Sequence, residues 1–185
     1  MERKIPDKAQ RYFVTGVGMI TSTGSLGRNV MAAEWTIQIS YEPLLIAVFV
    51  HDSTATLKNI RETKEFGINV ASDQQTSLVN IAGGYSRTEI DKLKVRRSFR
   101  FLKSRHIKAP VIAGCIVNAE CKLFKQIELG DHTTFVGEVI ELYPVNSKQP
   151  LIYHQQKYWK FGDNIPRPSQ QDMERIQKVL AKYSK

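Results

Sequence analysis

Cysteine is scarce: Cys115 and Cys121 are the only two in 185 residues. Six positions apart along one strand-like stretch, they share a face of a regular strand and lie too far apart to be bridged. The sequence therefore carries no disulfide framework, and both cysteines read as packed, reduced thiols. The four histidines, at 51, 106, 132 and 154, are scattered, and neither CxxC nor HExxH occurs, so no metal site is expected. Long apolar runs are missing as well. The longest, Leu44–Val50, is seven residues, against the roughly 20 that a membrane-spanning helix needs. The charged start, Met1-Glu-Arg-Lys-Ile-Pro-Asp7, lacks the apolar centre of a signal peptide, and the expected location is the cytoplasm. Acidic residues are short: 18 Asp and Glu face 27 Lys and Arg, a net charge of +9. The excess is uneven, because Lys92–Lys108 holds eight basic residues and no acidic one. Such a stretch attracts an anion: a cofactor phosphate, a dinucleotide, a nucleic acid or simply water and counterions.

What is present is ordinary globular chemistry, 42% hydrophobic and 24% charged, enough for a buried core without staples. Arg11–Ser22, Val30–Ser40 and Leu44–Val50 read as strands, with Pro43 separating the last two. Thr54 precedes a helix over Ala55–Thr63, and Glu65–Ala71 returns to strand. Asp73 is placed to cap a short helix that ends at Gly83-Gly84. Val111–Leu129 and His132–Tyr143 form two long strands about a Gly130-Asp131 hairpin turn. Leu151–Trp159 is aromatic and strand-like. Ser169–Tyr183 reads as a helix, with Ser169 and Asp172 at capping-box spacing and a stripe of Met173, Ile176, Leu180 and Tyr183. The expectation is a mainly β protein with antiparallel pairing, closed or partly closed into a barrel to remove exposed edges. Residues 1–168 would form that domain, and residues 169–185 a helix packed on it.

Nucleotide motifs fail in detail. Gly16-Val-Gly18 has Thr21 where a dinucleotide fingerprint needs Gly, and no helix follows. Gly24–Gly27 lacks the Gly-Lys-Ser/Thr of a P-loop. Two weaker anion cradles remain. Ser53, Thr54 and Thr56 lie at a helix N-terminus, where free N–H groups and the dipole favour an anion, although N-capping alone explains them. Gly83-Gly-Tyr-Ser-Arg87 offers inward N–H groups and a guanidinium, although a solvated loop after a helix explains it equally. Trp35-Thr36 fits core packing, or a strand along which a planar ligand lies. His132 is either the first residue after a turn or a polar group at a site.

The ordered set of segments resembles the flavin reductase-like, FMN-binding split-barrel family, and within it the flavoredoxin-like branch. The resemblance runs from about Tyr12 to Arg167. It rests on Gly27-Arg-Asn-Val-Met-Ala-Ala-Glu-Trp-Thr36, Thr54–Ile60, Phe66–Val70, Ser86–Lys92, Ala119–Lys122, Tyr153-His154 and Tyr158-Trp159. Most telling is Gly130-Asp-His-Thr-Thr-Phe-Val-Gly-Glu-Val139. Arg87 and Leu93 depart from it, where the family often has Gly and Phe. The resemblance implies a six-stranded antiparallel split β-barrel of Greek-key type, with short connecting helices and a C-terminal helix. It implies a homodimer with non-covalent FMN near the interface. The isoalloxazine ring would lie along Asn29, Val30, Met31, Ala33, Glu34, Trp35 and Thr36, the last two closest. The phosphate would lie near Ser53, Thr54, Thr56, Ser86, Arg87 and Lys92, which unites the two cradles. Arg96 and Arg97, beyond the matched motif, would stand apart from it. His132 is the residue to place near a nicotinamide. Three functions follow in order: a reductase moving electrons from NADH or NADPH to flavin, a flavoredoxin-like carrier with a protein redox partner, and last a nucleic-acid binder using Lys92–Lys108. The last lacks interleaved stacking aromatics, since only Phe99 and Phe101 fall in the stretch.

Overall fold

The computed structural model describes residues 8–95, 98–144 and 147–183. The strands are β1 (Thr15–Gly16), β2 (Gly18–Ser22), β3 (Asn29–Ala33), β4 (Thr36–Ser40), β5 (Leu45–His51) and β6 (Glu65–Val70). After them come β7 (Phe101–Leu102), β8 (Val111–Ile112), β9 (Val117–Leu129), β10 (His132–Leu142), β11 (Ile152–His154) and β12 (Lys157–Trp159). Three α-helices accompany them: α1 (Ala55–Thr63), α2 (Thr76–Gly84) and α3 (Gln170–Ala181).

One antiparallel sheet dominates, in the order β3-β2-β6-β9-β10-β5-β4. It has seven strands rather than the expected six, and it does not close into a barrel. The extra strand arises where Val30–Ser40 was expected to be continuous. The chain breaks at Glu34-Trp35, so that β3 pairs with β2 at one edge of the sheet and β4 with β5 at the other. A flat sheet of seven strands would hold its edges about 29 Å apart, at roughly 4.8 Å per spacing. The link from Ala33 to Thr36 spans at most about 11 Å. The sheet must therefore curl until its edges meet at this corner, although no ladder joins them. Gly18 permits the approach: a Cβ on it would strike the Thr36 side chain. The close contact, and not a dinucleotide turn, is what this glycine serves.

Inside the curl, Ile20, Val48, Val50, Phe66, Ile68 and Phe135 form one core with Leu57 and Ile60 of α1. A second cluster, with Met19, Val30 and Ile112, lies beneath Val79 and Ala82 of α2. The α1 helix begins as expected, with Thr54 accepting from the Leu57 N–H at 3.2 Å. The α2 helix begins instead at Thr76 after Gln75, with no side-chain cap, so Asp73 does not play that part. Arg11–Ser22 divides into β1 and β2, and Val111–Leu129 into β8 and β9. Cys115 falls between β8 and β9, so the two thiols share neither strand nor core cluster. Burial pushes both up to about 12.

The C-terminal helix forms with the full Ser169–Asp172 capping box. It does not pack on its own sheet as expected, because none of its residues is buried. Met173, Ile176, Leu180 and Tyr183 all face solvent in the single chain. No helix among the described residues is long and apolar enough to cross a membrane.

The basic stretch owes its path to two sheet carboxylates. Glu120, fully buried on β9, accepts from the backbone N–H groups of Arg105, His106 and Ile107 and from the Tyr143 hydroxyl. Glu65 accepts from the Lys108 N–H and from Lys122 Nζ, each at 2.6 Å. Arg105 pairs with Glu141 at 2.6 Å. Residues 105–108 are thus a segment pinned by its amides.

Burial opposes charge on Glu120, but the bonds from Tyr143, Arg105, His106 and Ile107 outweigh it and hold the carboxyl below its usual range. A depressed carboxylate stabilises the fold above its unfolded value of about 4.3, and that stability is lost as pH falls through the folded value. Glu120→Gln should cost about 1–3 kcal/mol at neutral pH, because an amide cannot accept from all these donors. Urea denaturation at pH 7 and below pH 4 checks both points: the variant's deficit should shrink in acid, where the parent protein also loses the charge.

Candidate active site

The corner where the sheet edges meet is also where a cavity of about 740 Å³ opens. One wall is β3 and its continuation, with Asn29, Met31, Ala32, Ala33, Glu34 and Trp35. A second is the start of α1, with Ser53, Thr54 and Ala55. A third is the end of α2 and the loop after it, from Gly83 to Arg87, with Lys92. His51, His132, Phe49, Tyr153 and Tyr158 also line it. The two cradles read separately from the sequence therefore face one space.

Lys92 is the least ordinary group here. It is 3% exposed, and its Nζ donates to the Ala82 carbonyl at 2.9 Å. That carbonyl belongs to the last turn of α2, where a cation is favoured by the helix dipole. One of the three ammonium N–H groups is used in this way. Burial, and then the like charge of Arg87, lower the ammonium to about 8. Arg87 is placed by its Nε, which donates to the Arg28 carbonyl at 3.2 Å, and by Asp91 at 3.4 Å. Its guanidinium lies beside Gly27, where a Cβ would come within 3.2 Å of it, and the φ of 77° there suits glycine. These two cations and the N-terminus of α1 line one cavity, an arrangement that favours an anion.

The other end is aromatic and imidazole-rich. His132 opens β10 directly opposite His51 of β5. Their ring centroids are 5.3 Å apart, and the His132 ring lies 5.0 Å from that of Trp35. His132 Nδ1 meets Asp131 Oδ1 at 2.7 Å, and His51 Nδ1 meets Ser53 Oγ at 2.9 Å. The hydrogen bond from His132, followed by smaller charge effects, holds Asp131 below its usual range. Glu34 is pushed up by burial. Asn29 donates through Nδ2 to Thr56 Oγ1 at 2.9 Å, while its Oδ1 is buried without a partner among the described residues. An orphaned acceptor on a cavity wall is what a donor-bearing ligand edge would satisfy.

Asn29, Met31, Ala33, Glu34, Trp35, Ser53, Thr54, Ser86, Arg87, Lys92 and His132 thus come together on one cavity. Three residues expected there do not. Val30 points the other way, fully buried beneath α2. Thr36 turns to the Ala33 carbonyl at 3.1 Å and packs across the seam on Gly18. Thr56 is buried behind the wall and acts through Asn29. Arg96 and Arg97 lie outside the described residues. His51, Phe49, Tyr153 and Tyr158 were missed, and only the cross-strand register of β5 with β10 could have signalled His51.

The chain is similar to known proteins in both sequence and fold. The family described as flavin reductase like domain matches residues 10–162. An uncharacterized protein of Archaeoglobus fulgidus is 31% identical over 79% of this chain and 84% of its own length. The NADH-dependent FAD reductase of Streptomyces globisporus is 25% identical, over 81% of each chain. A solved structure, the Streptomyces globisporus NADH:FAD oxidoreductase in complex with NAD and FAD fragments, superposes with a TM-score of 0.77. It covers 90% of this chain and 100% of that one at 23% identity, which is likeness of fold.

Lys92 sets a measurable pH dependence. Its ammonium is charged well below pH 8, half charged near it, and neutral well above it in the protein without ligand. A phosphate ester bound beside it would raise the ammonium's pKa, so such binding would take up a proton in that window and weaken as pH rises through it. Fluorescence-quenching titrations should show FMN affinity falling above about pH 8 while riboflavin, which has no phosphate, stays flat. Lys92→Met should abolish the pH effect and weaken FMN roughly ten- to hundredfold, the worth of a charge-assisted hydrogen bond.

Proposed function

The chain belongs to the flavin reductase-like family, and on that footing we propose that it is an FMN-binding oxidoreductase that takes electrons from NADH or NADPH. The observation that carries this reading is the buried Lys92 ammonium beside Arg87, on a cavity whose far wall is Trp35 and His132. The residues fit a flavin: cations and a helix N-terminus for its phosphate, an orphaned Asn29 acceptor, and apolar and aromatic surface for a ring.

A bound flavin would supply the redox chemistry, accepting a hydride from the nicotinamide. The protein's part is binding and orientation. Lys92, Arg87, Ser86 and the N–H groups at the start of α1 hold the phosphate. Met31, Ala33 and Trp35 exclude water. The donor side of Asn29 is tied to Thr56, which leaves its oxygen turned to the ligand. His132, oriented by Asp131 and packed on Trp35, is placed to position a nicotinamide.

A homodimer belongs to the same reading. Ile37, Ile39 and Tyr41 on the β4 edge are exposed beside Trp35, and α3 leaves its apolar stripe uncovered. A second copy would bury both and shield the cavity mouth. Light scattering at low micromolar concentration should give the dimer mass; a monomer that holds FMN would remove this part of the proposal.

Anaerobic stopped-flow tests the activity. NADH or NADPH should bleach the FMN-loaded protein within seconds, and His132→Ala should slow bleaching by roughly tenfold or more while FMN affinity is unchanged. Bleaching by a reduced ferredoxin-like protein, and by neither nucleotide, would assign the carrier role instead.

A further inference from the structure

Among the described residues, Glu34 is the one carboxylate that lines the cavity. Its place is forced by the chain path. Glu34 and Trp35 are all that lies between β3 and β4, so the side chain stands at the corner where the sheet edges meet. Neither cation of the cavity pairs with it. Lys92 donates to the Ala82 carbonyl at 2.9 Å, and Arg87 meets Asp91 at 3.4 Å. Glu34 has no hydrogen-bond or ion-pair partner among the described residues. Glu65 and Glu120, by contrast, are each met by several donors.

The groups around Glu34 do not neutralise it. Tyr158 of β12 is close enough that the carboxylate helps to raise its phenol's pKa, after burial and Tyr153 of β11. A phenol raised in this way stays neutral near pH 7 and supplies no countercharge. Its hydroxyl reaches Asn80 Oδ1 of α2 at 3.3 Å. His51 of β5 and His132 of β10 line the cavity beyond the Trp35 ring. Glu34 is exposed to the cavity and to solvent in the single chain, yet the protein around it already opposes its charge and raises its pKa. A ligand that fills the cavity displaces water and adds to that effect.

We propose that Glu34 is the group that takes up a proton when a flavin bound in this cavity is reduced. The proposal rests on the flavin reading and adds to it a residue that couples proton to electron uptake. A hydride carries two electrons and one proton. Its transfer breaks a C–H bond of a reduced nicotinamide and forms an N–H bond on the flavin, which gains one negative charge. An unpaired carboxylate on the same wall opposes that charge. A proton captured from water forms an O–H bond on Glu34 and removes the repulsion. The ring thus gains one proton with its two electrons, and Glu34 gains a second. Glu34 holds its proton more tightly beside the reduced ring than beside the oxidised one. Between those two states, reduction becomes harder as pH rises by the weight of one further proton.

The full chain is loaded with FMN and equilibrated without air against a reference redox dye, from about pH 5 to about pH 9. Fluorescence quenching by oxidised FMN shows that each variant is loaded. At a fixed potential, the ratio of reduced to oxidised flavin in the parent protein should fall about tenfold more per pH unit than in Glu34→Gln, over part of that range. Glu34→Asp, which keeps a carboxyl group, should restore the extra dependence. The same pH dependence in the parent protein and in Glu34→Gln overturns the proposal and leaves the flavin site standing. Loss of the extra proton in Tyr158→Phe, His51→Ala or His132→Ala, while Glu34→Gln behaves as the parent does, assigns it to another group and also overturns the proposal. Failure of the parent protein to bind FMN removes the flavin reading itself, and this proposal with it.

Discussion

The two residues between β3 and β4 constrain everything else. Because Glu34-Trp35 joins the opposite edges of a seven-stranded sheet, the sheet cannot lie flat. The curl that follows encloses the core of Phe66, Phe135 and Ile20, and it leaves a gap where the edges approach without pairing. The main cavity lies along that gap, and Trp35 lines it from within the link itself. Strands β3, β5 and β10 hold Asn29, Met31, Phe49, His51 and His132 by backbone pairing, while turns and loops carry Ser53, Thr54, Ser86 and Arg87. The glycine at position 18 is part of the same constraint, since it lets Thr36 close against β2.

Charge is then distributed by burial. Among the described residues, basic groups are put to different uses: Lys92 and Arg87 line the main cavity, while residues 105–108 are fastened by their amides to Glu120 and Glu65. Each buried carboxylate is met by several donors, as an ion out of water requires. Lys92, by contrast, has a neutral carbonyl and a like charge beside it.

Much of the fold was legible in local pattern. The hairpin at Gly130-Asp131, the α1 helix after Thr54 and the capping box at Ser169 are decided by residues close in sequence. Half of the site was legible for the same reason: hydroxyls before a helix and an Arg in a glycine-rich loop are local signals. Val30 and Thr36 were expected at the site because the family resemblance lays a flavin ring along residues 29–36; in the structure neither lines the cavity. The break that sends them to different surfaces depends on pairing with β2 and β5, which no neighbouring residue announces. Thr56 was assigned for its hydroxyl, but burial behind Asn29 makes it a support.

The sequence by itself determined the elements, their antiparallel character and the two anion cradles, because capping, alternation and turn chemistry act over a few residues. Only the tertiary structure decided that the cradles share one cavity, that His51 faces His132, and that Lys92 is buried beside Arg87. Those facts depend on strands distant in the chain being brought into register by the curl.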